Sequence, residues 1–167
     1  MFDVAHIHVM IVHLPIIGTV LAMIPLLWWL YKKDASIKWI GLVLLAVSLV
    51  WIPLATSSGE STEQAFFDGT ISAPLDDAGM QILELHSEVA EYAEAFWFVI
   101  FALIALQLFL WKKNYAWKNR LFWITLVANF FLIGWLGYVG YLGGQIRHPE
   151  FRATISSEVG VANIAKE

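Results

Sequence analysis

Cysteine is absent from the 167 residues of this chain, and charged residues make up only 14% of it. Without cysteine the protein forms no disulfide, binds no metal through thiolate and attaches no haem covalently in the c-type manner. About a quarter of the residues in soluble domains are charged, so the composition excludes an ordinary soluble domain. No HExxH motif or comparable compact metal motif occurs in the chain. Any cofactor must therefore be held by His, Met, Asp or Glu side chains from separate parts of the sequence.

Long apolar runs take the place of charge, since 59% of the residues are hydrophobic and 15% are aromatic. Four runs approach the ~20 residues that a helix needs to cross a hydrocarbon core of roughly 30 Å. They occupy residues 9–31, 39–55, 95–111 and 121–144, and we expect the second and third helices to extend further. The sequence predicts an all-α membrane protein with four transmembrane helices in an up-down-up-down bundle. The first run lacks a signal-peptide cleavage pattern, so we expect it to be retained.

Basic residues are concentrated in two short connections, 31–38 and 112–120, which together hold seven of the ten. The positive-inside rule places these connections in the cytoplasm. The N-terminus, a polar connection at about 57–80 and a C-terminal tail at 151–167 then lie on the opposite, outer side, and residues 1–150 form the transmembrane domain. Thirteen of the fourteen acidic residues and all five histidines fall on this outer side.

The histidines are His6, His8, His13, His86 and His148. In the predicted topology, the starts of helices 1 and 3 and the ends of helices 2 and 4 meet at one surface, which draws these side chains together. His13 lies in apolar sequence, where a neutral imidazole needs a hydrogen-bond partner or a metal. Glu60, Thr56 or a backbone carbonyl would serve as such a partner. We favour ligation, because His86 is available from helix 3.

The helical faces favour a pocket between helices 1 and 3. A step of 100° per residue places His8 about 140° from His13, so we expect His13 to point into the bundle and His8 to point elsewhere. Small residues beside His86 on helix 3, together with others on helices 1 and 4, leave room for a flat group beside the imidazoles. The residues expected to line this pocket are Gly18, Ala90, Ala93, Gly137 and Gly140.

Two histidines that face each other across a bundle, with small residues around them, are typical of b-type haem held by two axial imidazoles. We interpret His13 and His86 as the axial ligands of one haem b, in a membrane cytochrome b or a haem-binding subunit of a respiratory electron-transfer complex. His8 and His148 would serve a second haem or a propionate, and Arg147 would pair with a propionate. Iron with both axial positions filled does not readily activate substrates, so we expect an electron carrier or complex subunit more than a stand-alone enzyme.

Two other interpretations stay open. A non-haem Zn, Cu or Fe site would use His8, His13 and His86 together with Glu60 or Glu63, in a membrane enzyme or transporter. A structural subunit without cofactor would use its nine tryptophans and a line of glycines for packing in a membrane complex. The expected partners are the lipid bilayer, other membrane-complex subunits and a quinone or c-type cytochrome, and no nucleic acid.

Residues 8–16, HVMIVHLPI, resemble the HPxxVHFPI signature that opens a family of four-helix bacterial membrane proteins, an uncharacterised domain of unknown function that is sometimes joined to c-type cytochrome domains. The resemblance continues through SSGESTEQA at 57–65 and LELHSEVA at 83–90. This chain departs from the signature at Val9, where the family has proline, and at Leu14, where it has phenylalanine.

The positions of this chain that match the family pattern are His8, His13 and His86. The resemblance implies a multi-pass protein of the bacterial inner membrane, so that the outer side with both termini is the periplasm. Through the association with c-type cytochromes it also implies a redox setting.

Overall fold

The structure is a computed structural model, and it describes residues 4–71, 75–111, 113 and 116–152. Within these residues, four helical segments are long and apolar enough to cross a membrane, namely Val4–Lys32, Ala35–Phe67, Asp77–Phe109 and Lys118–Arg147. The predicted all-α membrane protein with four transmembrane helices is therefore confirmed. The tail beyond Arg152 and three residues of the 112–120 connection, Lys112 among them, lie outside the described residues.

Five α-helices make up the four spans. Span 1 is α1 (Val4–Lys32), and span 2 is divided into α2 (Ala35–Leu49) and α3 (Trp51–Phe67). Span 3 is α4 (Asp77–Phe109), span 4 is α5 (Lys118–Arg147), and a short 3₁₀ turn at Pro149–Phe151 follows. α1 packs along α2 and α3, α4 packs along α5, and smaller contacts join α1 to α5 and α4 to α2 and α3. The bundle thus consists of two tightly packed helix pairs that meet along two looser seams.

The division of span 2 at Val50 has a local cause in Pro53. Proline lacks a backbone N–H, and its ring collides with the carbonyl of the residue four positions earlier, which here is Leu49. Leu49 is the last residue of α2, so the helix is interrupted where that collision falls. In contrast, α1 continues as one helix through Pro15 and Pro25.

The polar connection after span 2 is partly helical. Within the expected connection at about 57–80, α3 continues to Phe67 and α4 begins at Asp77. Hydroxyl groups in this stretch bond back to the carbonyl one turn earlier, as Thr62 does to Ser58 at 2.8 Å, which satisfies them within a helix. Span 2 therefore projects well beyond its apolar section on the histidine side of the bundle.

A continuous apolar core fills the centre of the bundle and draws on all four spans. Its fully buried members include Leu26, Leu42, Leu45, Leu49, Ile100, Ile104, Phe122 and Leu132. The outward surface is also apolar, since large side chains such as Ile24 and Phe131 are 61% and 69% exposed. A helix bundle that is apolar on both its inner and outer faces fits a hydrocarbon environment.

Close backbone packing joins α1 and α2 at Gly18. A Cβ atom on Gly18 would lie 2.3 Å from Oγ and 2.7 Å from Cβ of Ser48, so only glycine allows this approach. Gly18 therefore serves contact between helices of one pair, which is a different place from the histidine pocket that we predicted for it.

Candidate functional site

Two imidazole rings meet near one end of the bundle, those of His8 on α1 and His86 on α4. Their ring centres are 6.5 Å apart and their planes are nearly perpendicular, at 83°. Both side chains are half-buried. The two histidines are 78 positions apart in sequence, and each belongs to a different tightly packed helix pair, so the rings meet at the seam between the pairs.

The orientation of His8 is fixed by the neighbouring helix α3. Its Nδ1 donates to the carbonyl oxygen of Ala55 at 3.1 Å and to Oγ of Ser58 at 2.9 Å. The Ser58 hydroxyl in turn donates to the same Ala55 carbonyl at 2.8 Å, so its lone pair faces the ring. The ring lies against Gly59, where a Cβ atom would come within 3.1 Å of His8 Cε1. A carbonyl on one side and a bare backbone on the other hold the imidazole in place.

His86 has the same arrangement in the other helix pair. Its Nδ1 donates to the carbonyl oxygen of Val139 on α5 at 3.0 Å. Its ring lies against Gly143, where a Cβ atom would come within 3.1 Å of His86 Cε1. In both pairs the accepting carbonyl stands four residues before the glycine. Spans 1 and 2 therefore repeat at their ends the local geometry of spans 3 and 4.

This geometry fixes the proton on the same nitrogen of both rings. A carbonyl oxygen only accepts hydrogen bonds, so Nδ1 of His8 and Nδ1 of His86 carry the proton and Nε2 keeps its lone pair. Metal-ligating histidines are oriented in this way, with the second ring nitrogen donating to a carbonyl or carboxylate. With metal–nitrogen bonds of about 2.0 Å, two imidazoles on opposite sides of one ion have ring centres roughly 6 Å apart. The 6.5 Å between the ring centres of His8 and His86 is close to that separation.

A carboxylate lies beside this pair. Glu63 on α3 accepts a hydrogen bond from the hydroxyl of Ser87 at 2.7 Å, and it interacts electrostatically with His86. Glu60, which the sequence also suggested, is exposed. In the described residues, no group of three or more His, Asp or Glu side chains is placed to hold a metal ion. The site therefore offers two nitrogen donors with one carboxylate nearby.

His13 lies elsewhere. It is exposed, and its Nδ1 donates to the carbonyl of Val9 in its own helix at 2.6 Å. The inward stripe of α1 is set by Pro15, Thr19 and other small or apolar residues that recur at helical spacing. His8 stands one heptad before Pro15 and shares that stripe, whereas His13 is about 140° away from His8. The structure thus places His8, and not His13, opposite His86.

His148 and Arg147 lie at the periphery of the same end. His148 is exposed, and its Nδ1 is 2.9 Å from Oε1 of Glu150. The guanidinium of Arg147 lies over the ring of Phe66, 5.1 Å from its centre, and so connects the end of α5 to α3.

The predicted pocket-lining residues are divided between core and surface. Ala93 is buried in the apolar core, and Ala90 is half-buried. Gly137 has open space where a Cβ would be, and Gly140 would bring one within 3.6 Å of Ile16 on α1. Gly140 also lines a groove of about 320 Å³ between the end of α5 and Phe151. Part of the glycine line thus borders the seam, while Gly143, which supports His86, lies outside the set we predicted.

A charged clamp at the same end holds α4 against α5. Asp76, the N-cap of α4, receives a hydrogen bond from the Gly79 amide at 2.9 Å. Nη1 of the buried Arg152 donates to both Asp76 oxygens at 2.7 Å. Arg152 also donates to the last carbonyls of α5, those of Gln145 and Ile146. The bond from Arg152 holds the pKa of the Asp76 carboxyl below its ordinary value of 3.8. The clamp ties the start of α4 to the end of α5, the two helices that carry His86 and Gly143.

Comparison of the chain with protein-family models, curated proteins and solved structures finds no match.

Proposed function

We propose that this protein is a membrane cytochrome b, or the haem-carrying subunit of a respiratory electron-transfer complex, with His8 and His86 as the axial ligands. The observation that supports it most strongly is the facing pair of half-buried imidazoles, 6.5 Å apart, each anchored through Nδ1 to a backbone carbonyl. Haem iron needs two protein nitrogens, because the porphyrin supplies the other four ligands. The site offers those two donors.

The chain's own residues supply orientation and electrostatics. Ala55, Ser58 and Val139 hold Nδ1 of the two rings, which leaves Nε2 of each ring as the nitrogen with a lone pair for iron. Glu63 lies near His86 and favours positive charge there, which would lower the reduction potential of a group bound at this position. A bound haem would supply one-electron transfer with no open iron position. Arg147 is an exposed cation at this end that would pair with a propionate.

Membrane placement follows from the distribution of charge. We propose a bacterial inner-membrane protein with both termini and the histidine pair at the periplasmic side, because the lysine-rich connections lie at the other end. Exposed carboxylates at the histidine end, such as Glu84, Glu88 and Glu91, suit a basic partner such as a periplasmic c-type cytochrome. A quinone or a neighbouring subunit would be the second redox partner.

The non-haem alternative has less support, because it needs three or more ligands that converge and the described residues offer two imidazoles with one nearby carboxylate. A structural subunit without cofactor explains the packing glycine at Gly18 but gives no reason for two imidazoles that are anchored in the same way.

The test is the optical spectrum and the pyridine haemochrome of the purified protein, together with quantification of iron, zinc and copper. We expect stoichiometric haem b with the Soret and alpha bands of a six-coordinate low-spin iron. His8→Ala and His86→Ala should each abolish that spectrum, and His13→Ala should retain it, because His13 is exposed and bonded to its own helix.

Colourless protein with stoichiometric zinc or copper would support the non-haem alternative instead. If cells supplied with haem and metals yield protein that contains neither, the result would support the structural subunit without cofactor. Loss of haem in His13→Ala with retention in His8→Ala would restore the pairing predicted from the sequence.

A further inference from the structure

A basic cavity lies at the opposite end of the bundle from the histidine pair. It has a volume of about 290 Å³ and opens where α1 and α4 end and α2 and α5 begin. The lysines that line it are Lys33, Lys38, Lys113 and Lys118. None of the described residues that line the cavity is acidic. Its walls therefore concentrate positive charge.

The lysines are held close together by aromatic rings. The Nζ atoms of Lys33 and Lys38 lie 4.6 and 5.1 Å from the ring centre of Trp29, and Lys38 is also 4.7 Å from the ring of Phe122. Lys38 is half-buried, and its charge repels that of Lys118. The nearby carboxylate of Asp34 caps α2, since it accepts from the Ser36 amide at 2.7 Å. Like charges gathered in a partly buried space favour an anion.

The level of the cavity in the membrane indicates what kind of anion reaches it. Trp29 and Trp111 line its wall, and Trp39 packs on Trp111 with ring centres 4.9 Å apart. Tryptophan is enriched at the boundary between hydrocarbon and water, where lipid head groups lie. The cavity is also flanked by the ends of the apolar spans, so acyl chains can run along the exposed apolar face below it.

We propose that this cavity binds the phosphate of an anionic phospholipid head group. The lysine ammonium groups contact the phosphate oxygens, with Lys38 and Lys118 as the central pair. The positive N-terminal ends of α2 and α5 add to the attraction. A zwitterionic lipid binds less well, because its own cation is repelled by the same lysines. The site is independent of haem at the other end.

The experiment uses the full chain purified in detergent and titrated with phosphatidylglycerol or phosphatidylcholine of the same acyl chains. Retained lipid is counted by native mass spectrometry, and Tm is followed in parallel. We expect one phosphatidylglycerol to be retained about tenfold more tightly than phosphatidylcholine, with a rise in Tm. In the Lys38→Gln/Lys118→Gln variant, phosphatidylglycerol should be retained no more tightly than phosphatidylcholine.

Lys32→Gln/Arg120→Gln is the matched control, because it removes the same charge from exposed residues at the same end that do not line the cavity. It should keep the preference for phosphatidylglycerol. If the first pair does not fold, Lys33→Gln/Lys113→Gln tests the same cavity at exposed positions and should also reduce the preference. Equal retention of both lipids by the native protein, or equal loss in cavity and control variants, would overturn the proposal.

Glycerol 3-phosphate and inorganic phosphate distinguish a lipid from a soluble phosphate. Neither should displace phosphatidylglycerol at millimolar concentration, because they lack acyl chains. Displacement by either compound at the concentration at which the lipid binds would overturn the assignment to a lipid.

Discussion

At the scale of single residues, a glycine opposite each imidazole decides where the ring can lie. Gly59 and Gly143 let the rings of His8 and His86 approach the neighbouring helix so that Nδ1 reaches a carbonyl. Each ring is thereby oriented by backbone atoms, which do not change rotamer. Substitution of these glycines tests the proposed site without removing a ligand.

We predict that Gly143→Ala lowers haem affinity about tenfold, as changes beside a metal ligand commonly do. The new Cβ would stand 3.1 Å from His86 Cε1, so the ring must shift by a few tenths of an ångström, which strains its hydrogen bond to Val139. Titration of the apoprotein with haem measures the effect. Gly144→Ala is the matched control, since nothing lies within 4 Å of its Cβ position, and it should bind as the native protein does. Equal affinities for both variants would contradict the role of Gly143.

The residue scale is also where the sequence was least informative. Topology predicted that the histidines gather at one end, and His8 and His86 do so. Which histidine of α1 turns inward depends on which face of the helix packs against the other spans. Thr19 and Ala22, at helical spacing from Pro15, indicate the buried face only weakly. The anchoring carbonyls of Ala55 and Val139 carry no sequence signal, because every residue has one.

At the scale of helices, the apolar runs predicted all four spans because hydrocarbon thickness fixes their length. Their ends were harder to predict, since polar residues continue α3 to Phe67 and α4 begins at Asp77, well before its apolar run. A polar helix outside the membrane has no hydropathy signature. For packing between helices, the sequence showed only where small residues lie. It did not indicate which helix each small residue contacts.

We predict that Gly18→Ala destabilises the protein by about 1–3 kcal/mol, because the added methyl group meets both Oγ and Cβ of Ser48 and pushes α1 from α2. Gly134→Ala, whose Cβ position has no atom within 4 Å, should be neutral or slightly stabilising. Unfolding in a mixed-micelle SDS titration compares the two. A Gly18→Ala variant as stable as Gly134→Ala would contradict the close approach of the helices.

At the scale of the whole molecule, two tight helix pairs meet at a seam that carries the facing histidines, and the Asp76–Arg152 clamp closes the end of one pair. The sequence did not indicate this clamp, because its partners are 76 positions apart and Arg152 lies in a tail without helical pattern. Long-range charge pairs are not visible in local sequence patterns.

The clamp predicts a dependence of stability on pH. Because the pKa of Asp76 is lowered in the folded protein, the carboxylate adds its full contribution to the free energy of unfolding above the ordinary pKa of 3.8. That contribution is lost as the pH falls through the lower pKa of the folded protein. Asp76→Asn should lower Tm by about a few degrees at neutral pH and should show a smaller further loss in acid than the native protein. Asp77→Asn, the adjacent exposed carboxylate, is the control for charge. Parallel pH profiles of Tm for native protein and Asp76→Asn would contradict the clamp.

Ligation of one haem iron by His8 and His86 is tested most directly by the electron paramagnetic resonance spectrum of the ferric protein in membranes. Ring planes at 83° predict the strongly anisotropic low-spin signal with a large maximal g value that perpendicular imidazoles give. The signal should vanish in His8→Ala and in His86→Ala and persist in His13→Ala. A high-spin ferric signal, or a low-spin signal that persists without His8, would contradict ligation by this pair.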